Sequence, residues 1–108
     1  MLDLLYLVTA EWIENPGATA EEAATVWKQM IDPSVKDLAR LVREKTIMGG
    51  VFAGERAGCF IIESKSTEEL GQVIRDLPFW PRLKWNIRAL ESFESVNAME
   101  RKLFECVK

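Results

Sequence analysis

Residues 64–90 constrain the fold of this chain more than any other stretch. Ser66 and Glu69 have the S-x-x-E spacing of a capping box, which predicts a helix that begins at Ser66. Apolar residues then recur at the i, i+3, i+4 and i+7 positions of one helix face, namely Leu70, Val73, Ile74 and Leu77. Pro78 disfavours helical dihedrals at the residue before it, so the helix is predicted to end at Leu77.

A strand is predicted beyond the proline-bounded turn. Apolar residues alternate there with polar ones, in the order Leu83, Lys84, Trp85, Asn86, Ile87, Arg88 and Ala89. A period of two is typical of a half-buried strand, with one face on the core and one face away from it.

The succession of capped helix, aromatic turn between two prolines and strand ending in Ala-Leu resembles the C-terminal half of the muconolactone isomerases. The residues that carry the resemblance are Ser66, Glu69, Leu70, Leu77, Pro78, Phe79, Trp80, Pro81, Ala89 and Leu90. The resemblance implies a ferredoxin-like α+β fold, a β-α-β-β-α-β sandwich with a four-stranded antiparallel sheet. It also implies that two copies dimerise through their sheets into an α/β barrel, and that the chemistry is a cofactor-free isomerisation.

The first part of the chain predicts a strand followed by a long helix. Residues 2–13 are largely apolar on both parities, as in a central strand covered on both sides. Thr19 and Glu22 repeat the capping-box spacing, and one apolar helical phase then continues to Val42. Pro33 interrupts that phase, which leaves a kinked long helix or two abutting helices. The retained phase favours the kinked helix.

Residues 47–56 and 57–63 predict two strands that form a hairpin near Gly54. Residues 59–62 are apolar on both parities, as expected of the second central strand. Gly49 and Gly50 make the first strand thin. They mark either a bulged edge strand or a close approach of a ligand.

Residues 92–108 predict an amphipathic C-terminal helix, which extends a single domain of residues 1–108. Its apolar face consists of Val96, Met99, Leu103, Phe104 and Val107. We expect that face to be buried: the helix closes the end of the sheet, caps a pocket or reaches a neighbouring subunit.

The composition of the 108-residue chain excludes several classes of function. A net charge of −3 with scattered basic residues predicts no nucleic-acid binding. The N-terminal apolar run has no basic region before it and is too short to span a bilayer, so we expect no membrane contact and a cytoplasmic location.

The two cysteines lack metal or redox spacing and are expected to be free thiols. The chain has no histidine, which removes histidine-based nucleophile activation and the usual histidine metal ligands. We therefore expect no metal and no cofactor.

A substrate-binding wall is predicted on the polar face of the last strand. Lys84, Asn86 and Arg88 share that face, and Arg88 can make a bidentate contact with a carboxylate. The alternative is that these residues blunt a solvated edge strand. Aromatic residues could supply a flat pocket wall, or could serve packing alone; they are Trp12, Trp27, Phe79, Trp80 and Trp85.

Candidate catalytic residues are Glu11, Glu63 and Tyr6, since a carboxylate in a dry pocket can shuttle a proton. Exposed charges at strand ends explain the two glutamates equally simply. Three hypotheses follow, all with a homodimer or higher homo-oligomer that binds a small organic anion or lactone. The first is an isomerase, the second a non-catalytic binding or structural module of the same fold, and the third a cofactor-independent monooxygenase of the dimeric α/β-barrel type.

Overall fold

The computed structural model describes residues 4–107. The elements in chain order are β1 (Leu4–Trp12), α1 (Ala20–Val26), a π-helical segment (Trp27–Ile31), α2 (Asp32–Arg43), β2 (Ile47–Val51), β3 (Ala57–Ser64), α3 (Thr67–Arg75), a 3₁₀ turn (Trp80–Arg82), β4 (Leu83–Leu90) and α4 (Phe93–Glu105). The α+β class predicted from the sequence is confirmed.

The four strands form one antiparallel sheet in the order β2-β3-β1-β4. Leu7 pairs with Ile61 of β3 and with Arg88 of β4, which fixes the register across the centre of the sheet. The two strands with apolar residues on both parities, β1 and β3, are the central ones, as predicted. The polar β4 lies at one edge.

The core lies between one face of the sheet and helices α2 and α3. Its buried residues are Tyr6, Val8, Ile47, Phe60, Ile62, Leu70 and Ile74, and Leu38, Leu41, Val73 and Trp85 pack against them. We call this side of the sheet the helix face. Because side chains alternate along a strand, the residues between these core positions point to the other side, which we call the open face. None of the described residues packs as a second layer over the open face.

The predicted long helix is continuous from Ala20 to Arg43 instead of dividing into two abutting helices. Val26, Trp27, Ile31 and Asp32 all have right-handed helical dihedrals, and the Asp32 N–H donates to the carbonyl oxygen of Trp27 five residues earlier. Such a π-turn accommodates an interior proline, because Pro33 has no N–H to offer the helical ladder.

Both predicted N-terminal caps are present. The Glu22 N–H donates to Thr19 Oγ1, and the Glu69 N–H donates to Ser66 Oγ, each at 3.1 Å. The helix that follows Ser66 ends at Arg75 instead of Leu77. The hairpin forms near Gly54 as expected, but β2 ends at Val51, five residues earlier than predicted, because the turn begins at Phe52 and Gly54 has a φ of 78°.

Helix α4 exists, but its apolar face is not buried by any part of residues 4–107, so burial by a neighbouring subunit stays a prediction. None of its residues is buried, and Phe93 is 96% exposed. The radius of gyration is 18.1 Å and the longest extent is 67 Å, whereas a compact chain of this length has a radius of gyration of about 13 Å. The helix therefore projects from the sheet end at Leu90. Within residues 4–107, no helix is both long enough and apolar enough to cross a membrane.

Candidate functional site

A large cleft separates the first half of the long helix from the helix face of the sheet. Helix α1 and the π-helical segment contain no buried residue, whereas the core packs against α2 and α3. The long helix thus stands off the sheet at its N-terminal half. The resulting cleft has a volume of about 1420 Å³.

The walls of the cleft are mainly apolar. From the sheet it is lined by Val8, Ala10, Trp12, Phe60, Leu83 and Trp85, and from the long helix by Ala23, Val26, Trp27, Ile31, Val35, Leu38 and Val42. Trp27 is 54% exposed and Val35 is 44% exposed, although both face an apolar surface. Such walls suit an apolar guest, because filling the cleft would remove these side chains from water.

Two arginines and a tryptophan form a charged corner at the end of the cleft where β1 ends. The Arg82 guanidinium lies 5.6 Å from the centroid of the Trp12 ring, in a cation–π arrangement. Backbone hydrogen bonds hold this corner together: the Trp12 N–H donates to Arg56 O at 2.9 Å, and the Ile13 N–H donates to Arg82 O at 3.1 Å. Arg56 also approaches Glu14 at 4.0 Å.

Two of the arginines that line the cleft lack an ion-pair partner within residues 4–107. Arg43 and Arg82 make no salt bridge with any described carboxylate, whereas Arg56 is paired with Glu14. Glu21 and Glu22 also line the cleft, on the helix side. An anionic group that enters the cleft would meet Arg82 in contact with Trp12 and without a salt bridge to any carboxylate in the described part of the chain.

Of the two glycines in β2, strand packing explains Gly49 but not Gly50. A Cβ added at Gly49 would overlap the backbone of Cys59 and Phe60 on β3, whereas a Cβ at Gly50 would meet nothing within 4 Å. Only Gly49 is therefore required by the close approach of the two strands. Both glycines nevertheless border the cleft.

The predicted substrate-binding wall lies on the open face, away from this cleft. Trp85 packs against the core, so Lys84, Asn86 and Arg88 on the alternate positions of β4 point to the opposite side, and all three are exposed. Their shared face is as predicted. Whether they bind a substrate stays a prediction.

The three predicted catalytic residues are not brought together. Tyr6 is 6% exposed and belongs to the core on the helix face, whereas Glu11 and Glu63 lie on the open face. Glu63 is the register partner of Leu5, six residues before Glu11, so the two glutamates are separated by about 20 Å along β1. Of the predicted residues only Glu11 and Lys84 face each other directly, as register partners of β1 and β4.

The sequence predicted most of the aromatic wall but not the arginine corner. Trp12, Trp27, Phe79 and Trp85 line the cleft. Trp80 does not line it; its carbonyl oxygen accepts the indole N–H of Trp85 at 3.0 Å. Arg56 and Arg82 lie just outside β3 and β4, where the strand period no longer predicts a direction. Trp12 and Val8 are an even number of residues apart on β1 and so share one face of the sheet. This spacing is the sequence signal that could have located the corner.

The fold and the cleft define an α+β protein with an open four-stranded antiparallel sheet and one large apolar cleft between sheet and helix. A comparison with protein-family models finds no family that matches this chain, and a comparison with curated proteins finds no match either.

Proposed function

We propose that this chain is a muconolactone isomerase-like binding protein for a small, largely apolar organic acid or lactone. The observation that carries the proposal is the apolar cleft with Arg82 beside Trp12 at one end, where Arg82 has no salt-bridge partner within residues 4–107. The element order and the sheet order β2-β3-β1-β4 support a ferredoxin-like sandwich, which is the fold that the resemblance of residues 64–90 implies.

The shape and polarity of the cleft indicate the class of ligand. Pockets for small molecules commonly have apolar walls and a few orienting polar groups, as this cleft has, and a small ligand would fill only part of it, because its volume of about 1420 Å³ exceeds the usual range of about 300–1,000 Å³. The ring of Trp12 and the indole of Trp27 offer flat apolar surfaces to a planar ligand. Arg82 can give a carboxylate two parallel hydrogen bonds, which fixes the orientation of the ligand.

A non-catalytic module accounts for this cleft better than an isomerase or a cofactor-independent monooxygenase. The carboxylates that line it are Glu14, Glu21 and Glu22, and all three residues are exposed. The side chain of Glu14 is 70% exposed. A proton shuttle works best in a dry site within hydrogen-bond reach of the reacting atom, and exposed side chains lack those surroundings.

The open face supports a homodimer, the second part of the proposal. Leu5, Leu7, Ile61 and Leu90 share that face at the middle and one end of the sheet. Leu5 is 40% exposed, and Ile61 and Leu90 are each 37% exposed. Two such faces stacked about 10 Å apart would remove these side chains from water and would form the barrel that the resemblance implies.

In such a dimer, the space between the two sheets would be bordered by Lys84, Asn86 and Arg88. That position is a second candidate anion site, and it is favoured by the single face that the three residues share.

Calorimetric titration distinguishes the cleft from the space between the sheets. The titrants are lactone acids, aromatic monocarboxylates and small dicarboxylates, and the proteins are the wild type, Arg82→Ala and Arg88→Ala. Loss of a charged partner from a desolvated carboxylate costs about 2–5 kcal/mol, so Arg82→Ala should weaken binding at least 30-fold or so. Arg82→Lys retains the charge and should lose less. Arg88→Ala should bind as the wild type does.

If Arg88→Ala weakens binding and Arg82→Ala does not, the ligand binds in the space between the sheets instead of in the cleft. No binding of any acid by the wild type would contradict the proposed function. An isomerisation assay on each acid that binds tests the enzyme hypothesis, and turnover would favour the isomerase over the module.

A further inference from the structure

Helix α4 presents an apolar face that no described part of its own chain covers. Phe93, Met99, Leu103 and Phe104 lie on one side of the helix and are 59–96% exposed, and Val107, two residues beyond the end of the helix, is 73% exposed. On a helical period of 3.6 residues, Glu100 lies within that same side. A helix face of this kind normally packs against another surface. If it does, the Glu100 carboxylate within the face would need a cationic side chain on that surface.

The cleft is the surface of this chain that complements α4. It is concave and apolar, and its volume of about 1420 Å³ exceeds the 300–1,000 Å³ typical of small-molecule pockets. A 13-residue helix is about 20 Å long, and the 24-residue helical stretch that borders the cleft is about 36 Å long. Arg43 lines the cleft and has no salt-bridge partner within residues 4–107, so it is available to Glu100.

Helix α4 leaves the sheet at the end that lies farthest from the Trp12 corner of its own cleft. It follows Leu90, which pairs with Leu5 at one end of the sheet, whereas Trp12 and Leu83 mark the cleft at the opposite end. Two copies related by a two-fold axis, with sheets face to face and strands antiparallel, bring each α4 to the cleft end of the other copy.

We infer that α4 of one copy lies across the cleft of a second copy and closes it. The inference deepens the proposed function, since the cleft that α4 closes is the proposed ligand site. The area is sufficient: aromatic residues bury about 150–250 Å² each, so the exposed parts of Phe93 and Phe104 supply roughly 300 Å² per helix. Two such contacts, counted on both surfaces, amount to roughly 1,200 Å², which is within the range of stable interfaces.

The test uses one variant of each surface in the full chain. Leu103→Asp places a charge on the apolar face of α4, and Val35→Asp places one in the cleft. Leu103 is 62% exposed and Val35 is 44% exposed in the single chain, so neither change should prevent folding. Far-UV circular dichroism checks this, and Met99→Asp and Ala39→Asp replace any variant that fails it. Ala98→Asp, on the opposite side of α4, is the matched control.

Sedimentation velocity without ligand measures self-association of each protein. Each of the two variants alone should raise the dissociation constant about tenfold or more, because each removes both helix–cleft contacts, whereas Ala98→Asp should not. A mixture of Leu103→Asp and Val35→Asp should associate more tightly than either variant alone. One intact α4 and one intact cleft remain in the mixed pair.

Three results would overturn the inference. In the first, Val35→Asp associates like the wild type while Leu103→Asp does not, which would place α4 against another α4 or against the open face. In the second, both variants associate like the wild type. In the third, both variants are weakened and mixing restores nothing. Because association is measured without ligand, a failure of the acid titrations would contradict the proposed function and leave this result intact.

Discussion

The backbone N–H of Phe79 donates a hydrogen bond to the side-chain oxygen of Ser34 at 3.0 Å, across 45 residues of sequence. Ser34 is completely buried and itself donates to the carbonyl oxygen of Met30 at 2.6 Å. The Ser34 hydroxyl therefore links the turn between the two prolines to the π-helical segment that precedes α2. It also holds Phe79, whose ring meets that of Trp85 edge-on at 6.2 Å, against the cleft.

Replacement of Ser34 by alanine should lower the free energy of unfolding by about 1–3 kcal/mol, because the Phe79 N–H is left without a partner in a buried place. Urea denaturation measures the change. The control is Thr25→Ala, which removes a hydroxyl that donates to Glu21 O at 3.0 Å on an exposed part of the helix. Equal small losses in both variants would show that the Ser34–Phe79 bond has no special weight.

Gly49 and Gly50 should respond very differently to alanine. A Cβ at Gly49 overlaps the backbone of β3, so Gly49→Ala should cost about 1–3 kcal/mol or more. A Cβ at Gly50 meets no atom within 4 Å, and Gly50→Ala should change stability by less than about 0.5 kcal/mol. Thermal unfolding of the two variants compares them directly. A destabilised Gly50→Ala protein with a normal Gly49→Ala protein would contradict the observed strand packing.

Two serine caps of equal geometry should differ in their effect on global stability. The Ser66 hydroxyl accepts the Glu69 N–H at 3.1 Å, and the Ser92 hydroxyl accepts the Ser95 N–H at 3.0 Å. Helix α3 belongs to the core, so Ser66→Ala should lower the free energy of unfolding by about 1 kcal/mol. Helix α4 has no buried residue, so Ser92→Ala should fray it without destabilising the sheet.

Denaturant unfolding followed by tryptophan fluorescence at low protein concentration compares the two cap variants, since all four tryptophans precede α4. Equal losses of stability would mean that α4 unfolds together with the core.

The proposed sheet-to-sheet dimer predicts that a lysine on the open face abolishes association. Ile61 lies on that face and is 37% exposed, and Ile87 lies on the helix face of β4 and is 44% exposed. Ile61→Lys should give a folded monomer, because burying an unpaired charge between two sheets costs several kcal/mol. Ile87→Lys should remain associated. Light scattering at micromolar concentration measures the mass of both variants. An Ile61→Lys protein that is still fully associated would exclude the open face as the interface.

Local sequence determined the elements of this fold and the faces of its strands. The spacing of Ser66 and Glu69 places a cap because the hydroxyl and the amide it accepts are three residues apart. The alternation around Trp85 decides which side of β4 meets the core, because side chains alternate along every strand. The continuous phase through Pro33 likewise indicated one helix. In each case the deciding interaction spans only a few residues.

Tertiary structure alone decided where the cleft lies and whether the apolar face of α4 packs on its own sheet. The cleft exists because α1 stands off the sheet while α2 packs on it. The apolar residues of both helices follow one phase in the sequence, so the sequence does not predict this difference. Glu63 lies on the same face as Glu11 because the register of β1 and β3 sets the faces of the two strands together, whereas the odd spacing of Tyr6 and Glu11 on β1 separates those two by alternation alone. The apolar face of α4 is visible in the sequence, but its pattern is the same whether the face is covered by its own chain or by another. Only the path of the chain beyond Leu90, away from the sheet, leaves that face uncovered by the described part of its own chain.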